Sequence, residues 1–110
     1  ALEESLGDEE WYVRASAADG LANMGRVAAS ATESLAVAVE DEHWWVRRNA
    51  IEALSRTGEL SPLATTAVSR ALEDDDYRVR RNAAMALERL AQIPHQRREV
   101  LSRYNRNPPA

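Results

Sequence analysis

The sequence predicts an all-α protein, an α-solenoid of stacked helical hairpins with a 33-residue repeat. Three segments align without gaps, each offset from the last by 33 residues: DEEWYVRASAADGLANMG (8–25), DEHWWVRRNAIEALSRTG (41–58) and DDDYRVRRNAAMALERLA (74–91). Apolar residues recur at helical spacing within each segment. Repeats of this length bury their apolar faces by stacking on one another, which favours a solenoid.

The longer helix of each unit, its second helix, is predicted at 11–24, 44–57 and 77–91. The first of these carries an apolar stripe at positions i, i+4, i+8 and i+11, formed by Val13, Ala17, Leu21 and Met24. Gly25 follows directly, and we expect it to end the helix in a left-handed conformation.

Shorter first helices are predicted at 1–6, 29–40 and 62–73. Leu35 and Val39 are expected to face inward, as are their counterparts Val68 and Leu72. Ser61 and Pro62 are typical of an N-cap and a first helical position. A last helix is predicted from Pro94 to about Tyr104.

These elements predict one domain over residues 1–104. It comprises a partial first repeat (1–25), two repeats (26–58 and 59–91) and a capping helix (94–104), followed by a flexible tail (105–110). The chain opens with Ala1 rather than methionine, so we expect upstream sequence to be missing. Leu2, Leu6 and Met24 would then form an apolar end that permits self-association.

A charged pair recurs in every unit. Each arginine of the Val-Arg dipeptide falls on the edge of the apolar stripe, where a partly desolvated guanidinium needs a partner. The aspartate six residues earlier can supply it, either within a unit or across to the next. A structural ladder is therefore expected from Asp8, Arg14, Asp41, Arg47, Asp74 and Arg80.

The repeated pattern resembles a known family. An aspartate, two variable residues, an aromatic residue, a variable residue, Val-Arg and then "RNA" and "AL" are similar to the HEAT-like repeats of phycobilisome lyases. The resemblance covers residues 1 to about 104. It implies an α-solenoid whose second helices line a concave side and hold a protein partner there.

One face of the second helices is a candidate binding surface. Large aromatic side chains and arginine are favoured at binding hot spots, and several are predicted to face solvent here. The candidate protein-binding residues are Tyr12, Trp45, Arg48, Glu52, Arg78, Arg81 and Met85. The alternative is an ordinary solvated face with internal ion pairs, such as Arg48 with Glu52 at i, i+4.

Two other columns are interpreted as structural because an equivalent residue recurs in each unit. Trp11, Trp44 and Tyr77 are expected to pack between repeats. Ser16, Asn49 and Asn82 are expected to hydrogen-bond to a neighbouring unit, since asparagine is a poor residue for a helix interior.

Composition and motifs argue against several classes of function. The chain has no cysteine, two unpaired histidines and no phosphate-binding or nucleophile motif, so neither a metal site nor catalytic residues are predicted. A net charge of −4 disfavours nucleic acid and acidic membranes, although the C-terminal end is arginine-rich. The absence of cysteine and of an export leader favours the cytoplasm.

The predicted function is a non-catalytic scaffold that binds another protein on the concave side, without a cofactor. The family resemblance implies an alternative: a subunit or fragment of a bilin lyase or other chromophore-handling complex, with a bilin as cofactor. Any activity would then be that of an accessory part of the lyase.

Overall fold

The computed structural model describes residues 2–57 and 61–90, which form six α-helices. They are α1 (Leu2–Ser5), α2 (Trp11–Met24), α3 (Thr32–Ala38), α4 (Trp44–Arg56), α5 (Pro62–Arg70) and α6 (Tyr77–Leu90). The described residues contain no strand. The all-α prediction is confirmed.

The helices stack in two layers. The second helices lie side by side, with α4 packed between α2 and α6, and α3 packs against α5 in the other layer. Within each unit the first helix also contacts the second, as α3 does α4. Equivalent residues of successive units therefore lie in rows along the array, as a solenoid requires.

The core is built largely from alanine with a few large side chains. Ala17, Ala50 and Ala83, which occupy equivalent positions in the three second helices, are almost fully buried. The core also contains larger side chains. Those that are fully buried include Leu35, Val46, Ile51, Leu54, Val68 and Val79.

The predicted first helix at 29–40 is interrupted. Residues Gly25–Ala31 form a 3₁₀ helix, and the α-helix begins only at Thr32. The buried side chains of the 3₁₀ segment, Ala28 and Ala31, are three residues apart. That spacing matches the three residues per turn of a 3₁₀ helix, which keeps both alanines on the core side. The helix predicted at 62–73 likewise ends in a 3₁₀ turn, Ala71–Glu73.

Gly25 ends α2 as predicted, but in a different conformation. Its φ is 58° and its ψ is −128°, so φ is positive while ψ lies outside the left-handed helical region. These angles suit the first central position of a type II′ turn, which glycine favours. Met24, predicted to continue the apolar stripe, is instead exposed.

The ends of the array are described in part. Leu6 is buried, whereas Leu2 is partly exposed. The predicted capping helix at 94–104 and the tail at 105–110 lie outside the described residues. In the described part of the chain, no helix is both long and apolar enough to cross a bilayer.

Candidate protein-binding surface

Three acidic loops that precede the second helices have the same local structure. In each, an aspartate Oδ1 accepts a hydrogen bond from the backbone N–H two residues later, at 2.9 Å, in a turn typical of aspartate. The aspartates are Asp8, Asp41 and Asp74. Each turn thereby fixes the direction of its carboxylate.

The arginine ladder joins neighbouring units. Arg14 donates from Nε and Nη2 to the carboxylate of Asp41, at 2.7 and 3.1 Å. Arg47 makes the same two bonds to Asp74, at 2.9 and 3.1 Å. Nη1 of each arginine donates to the carbonyl of the aspartate in its own unit. Each guanidinium therefore binds the loop before its helix and the loop of the following unit.

The predicted third pair is not formed. Nη1 of Arg80 donates to the carbonyls of Asp74 and Asp75, but Nε and Nη2 meet no carboxylate in the described part of the chain. At the other end, the Asp8 carboxylate accepts from the Glu10 backbone N–H, and Arg14 reaches only the Asp8 carbonyl. The pairing runs forward from one unit to the next, so the first aspartate and the last arginine are left over.

Pairing in the first rung of the ladder shifts the pKa values of Arg14 and Asp41. Desolvation raises the pKa of Asp41, but the hydrogen bonds from the Arg14 side chain and the His43 backbone outweigh it and hold that pKa below its ordinary value. The hydrogen bond to Asp41 raises the pKa of Arg14. The side chains are only 11% and 12% exposed, so both charges stay ionised in a mostly dry environment.

The asparagine column also connects units. Nδ2 of Asn49 donates to the carbonyl of Ala15 at 2.9 Å, and Nδ2 of Asn82 donates to the carbonyl of Arg48 at 2.8 Å. Both side chains are buried. Ser16, the first member, is exposed because no described unit precedes it. The column holds the second helices together.

The first aromatic column contacts the next unit at two of its three positions. The Trp11 ring stacks on His43, with centroids 3.9 Å apart and planes 3° apart. The Trp44 ring lies under the Arg78 guanidinium, whose Cζ is 3.4 Å from the ring centroid, in a cation–π contact. Tyr77, the third member, is exposed.

His43 has a role that sequence reasoning missed. It is the N-cap of α4, where its Nδ1 accepts a hydrogen bond from the Trp45 N–H at 3.1 Å. Asp76 caps α6 in the same way and also binds Nε and Nη2 of Arg78. Their position immediately before the helix was the available signal, since an N-cap needs an acceptor side chain.

The candidate binding residues lie together on the exposed side of α2, α4 and α6, here called the second-helix face. Its residues come from matching positions of the three second helices. They are Tyr12, Trp45, Arg48, Glu52, Arg78, Arg81 and Met85, and all except Glu52 are exposed. Ala15, three residues after Tyr12 in α2, is buried.

The ion pair suggested between Arg48 and Glu52 is not formed. Glu52 instead accepts from Nε of Arg56 at 2.6 Å and from Nη1 of Arg89 at 3.2 Å. Arg48 donates to the side-chain oxygen of Asn49 and has no carboxylate partner among the described residues. Internal ion pairs therefore do not neutralise Arg48, the arginine at the centre of this surface.

Two adjacent grooves run between the second helices. The first, of about 470 Å³, lies between α2 and α4 and is lined by Trp11, Tyr12, Ala15, Ser16, Asp19, Trp45, Arg48 and Asn49. The second, of about 200 Å³, lies between α4 and α6 and is lined by Arg48, Tyr77, Arg78, Arg81, Asn82 and Met85. Arg48 borders both, so the grooves form one continuous surface with an aromatic half and a basic half.

A larger groove of about 560 Å³ lies in the other layer, between α3 and α5. Its walls include the exposed Val37 and Leu63, and two of its charged residues, Arg70 and Glu40, pair with each other at 3.4 Å. No aromatic side chain lines it. Volume alone favours this groove, but residue chemistry favours the second-helix face because aromatic and unpaired arginine side chains converge there.

Comparison with known proteins identifies the repeat. Residues 1–88 match the family of HEAT repeats. The chain belongs to the HEAT-repeat family. The HEAT repeats account for both layers of the array and for the rows of equivalent residues.

One similar solved structure is the complex of CpcE and CpcF of phycocyanin lyase from Nostoc sp. PCC7120. Its sequence identity to this HEAT-repeat chain is 33% and the TM-score is 0.74. The match covers 82% of this chain but only 36% of that one, so the present chain spans about a third of the relative's length. The search of curated proteins found no match to the present chain.

No metal-binding cluster is found in the described part of the chain. Over residues 2–57 and 61–90, no group of three or more histidine and acidic side chains is arranged to hold a metal ion. The second-helix face offers aromatic, thioether and guanidinium groups, which belong to residue types enriched at protein interfaces.

Proposed function

We propose that this protein is a non-catalytic interaction module that binds another protein on the second-helix face. The HEAT-repeat family and the resemblance to a two-protein complex support a protein partner. The observation that carries the choice of face is the exposed Trp45 beside Arg48, whose charge no described carboxylate neutralises. Tryptophan and arginine are both among the residue types enriched at binding hot spots.

A pair of substitutions tests the face. Trp45→Ala and Arg81→Glu are expected to abolish capture of a partner, identified by mass spectrometry, while helical content and melting temperature stay unchanged. Both side chains are exposed, so their replacement should leave the core intact. Val37→Ala, on the other layer and 74% exposed, is the matched control and should capture normally. Undiminished capture by both face variants would count against the proposal.

A second candidate function is a subunit or fragment of a bilin lyase or chromophore-handling complex. The similarity to the phycocyanin lyase complex supports it. The second-helix face would place aromatic rings along a tetrapyrrole and arginines against its propionates. Phycocyanobilin is the cofactor to test, added with and without a candidate partner subunit. A shifted, saturable absorbance band would support this function, and a flat titration with the partner present would remove it.

A further inference from the structure

We propose that the segment bound by the second-helix face is acidic and docks in one direction. Its carboxylate lies between Arg48 and Arg81, and an apolar anchor lies in the groove between α2 and α4. This inference rests on the proposed function and specifies the chemistry of the partner.

The charge distribution of the surface argues for a carboxylate. Arg48 and Arg81 border the groove between α4 and α6, and neither has a carboxylate partner among the described residues. Two of the acids near the groove between α4 and α6 are already engaged, because Glu52 binds two arginines and Asp76 binds Arg78. Positive charge is therefore left over here, in a chain whose net charge is −4.

The chemistry of arginine narrows the ligand further. A guanidinium presents a planar fork of N–H donors that matches the two oxygens of a carboxylate. The protein itself uses that match in both ladder rungs, where Nε and Nη2 bind one aspartate. Two unpaired forks facing one groove thus favour glutamate or aspartate on the partner.

The other half of the surface favours an apolar side chain. Trp11, Tyr12 and Trp45 line the groove between α2 and α4, and their rings supply broad, rigid contact area. Asp19 is exposed on the same groove and has no partner in the described structure. An acidic residue would be repelled there, so the aromatic end and the basic end are not interchangeable.

The geometry of the array sets the spacing on the partner. Neighbouring packed helices lie about 8–10 Å apart. The same distance corresponds to roughly six residues of a partner helix at 1.5 Å per residue, or about three residues of an extended strand. An anchor and a carboxylate separated by seven helical positions lie on one face of the partner helix and would reach both grooves.

Synthetic peptides test this directly on the full chain. The probe is a fluorescein-labelled 16-residue helical peptide with one leucine and, six and seven residues later, two glutamates. Matched peptides carry glutamine or lysine at those positions, or the glutamates before the leucine. Fluorescence anisotropy is measured at low and physiological salt with the wild type, Arg81→Glu, Trp45→Ala and the control Arg26→Glu, an exposed arginine in the 3₁₀ segment away from this face.

We expect the glutamate peptide to bind about tenfold more tightly than the glutamine peptide, and the lysine and reversed peptides to bind more weakly still. Arg81→Glu should remove the preference for glutamate, and Arg26→Glu should leave it unchanged. Equal affinity for the glutamate and lysine peptides would overturn the inference. So would Arg81-dependent binding of biliverdin without any peptide binding, because the ligand would then be a tetrapyrrole.

The outcomes also separate this inference from the proposed function. If Trp45→Ala abolishes capture of a protein partner but Arg48→Glu and Arg81→Glu do not, the face is correct and the acidic partner is wrong. If no variant affects capture, the face itself is wrong.

Discussion

Arg47 donates two hydrogen bonds to Asp74, 27 residues later in the chain, and a third to the carbonyl of Asp41. A single side chain therefore connects the loops before α4 and α6. The ion pair is mostly buried, with side chains 17% and 13% exposed. Charges in such surroundings are costly once their partner is removed.

Arg47→Met is accordingly expected to lower the free energy of unfolding by about 2–4 kcal/mol, because it leaves Asp74 unpaired in a partly dry site. Urea denaturation measures the change. Arg26→Met, at an exposed position, should change stability by less than about 0.5 kcal/mol. The double variant Arg47→Met with Asp74→Leu should lose less than the sum of the single variants. Additive losses would show that the two residues do not interact.

Acid should weaken the first rung. The pKa of Asp41 is lowered in the fold from a reference value of 3.8. Its contribution to stability is therefore complete above that value and is lost as the pH falls through the lower, folded value. The urea midpoint of the wild type, measured from pH 7 to pH 2, should fall as Asp41 is protonated. The midpoint of Asp41→Asn should fall less. Parallel curves for the two proteins would contradict the pairing.

Asp76 offers a direct titration. The side-chain hydrogen bond from Arg78 lowers its pKa to about 2. Carboxyl chemical shifts followed by NMR should show a midpoint near that value. In Arg78→Met, we expect the midpoint to return toward the ordinary aspartate range.

Removing the amide at one asparagine should weaken the contact between second helices. Asn82→Ala is expected to cost about 1–2 kcal/mol, since a partly buried hydrogen bond to the Arg48 carbonyl is lost. Ser16→Ala replaces the equivalent residue where it is exposed and should cost under about 0.5 kcal/mol. Thermal unfolding followed by circular dichroism compares the two, and equal losses would argue against the inter-unit bond.

Gly25→Ala tests the turn after α2. A Cβ at Gly25 would clash with nothing, since its nearest contact would be the Arg56 carbonyl at 3.8 Å. The cost should come from the positive φ and amount to about 1–3 kcal/mol. Gly7→Ala, where φ is not positive and the nearest contact is 3.6 Å, is the matched control and should be close to neutral. Urea denaturation of both variants distinguishes strain from contact.

The adjacent tryptophans should behave differently. Trp44 packs against the core and under Arg78, so Trp44→Ala should lower stability by about 2 kcal/mol or more. Trp45 is 44% exposed, and Trp45→Ala should cost less than about 1 kcal/mol. Melting temperatures measure both. A larger loss for Trp45→Ala would mean that Trp45 is structural and unavailable to a partner.

The repeat made most of the fold predictable. Periodicity identifies which residues are equivalent, so the second helices and the arginine–aspartate column follow from sequence. It does not say whether Arg14 pairs with Asp8 or with Asp41, because that depends on how one unit sits on the next. The stack of Trp11 on His43 escaped prediction for the same reason.

Local physics explains two other differences. Glu52 is four residues after Arg48 and four before Arg56, and the pair with the acid on the N-terminal side is the more favourable one in a helix. The structure has that pair, and it adds Arg89, which is 37 residues away and invisible to local rules. The 3₁₀ segment before Thr32 was missed because an alanine-rich stretch satisfies either helical period.

The forward direction of the ladder has a consequence for how such a chain can change length. Each rung involves only adjacent hairpins, so a tandem duplication of residues 26–58 would set a new arginine opposite an existing aspartate. The added hairpin would carry its own copies of Asp41 and Arg47, so it could pair with the units on both sides. Growth by whole modules would thus need no second, compensating substitution.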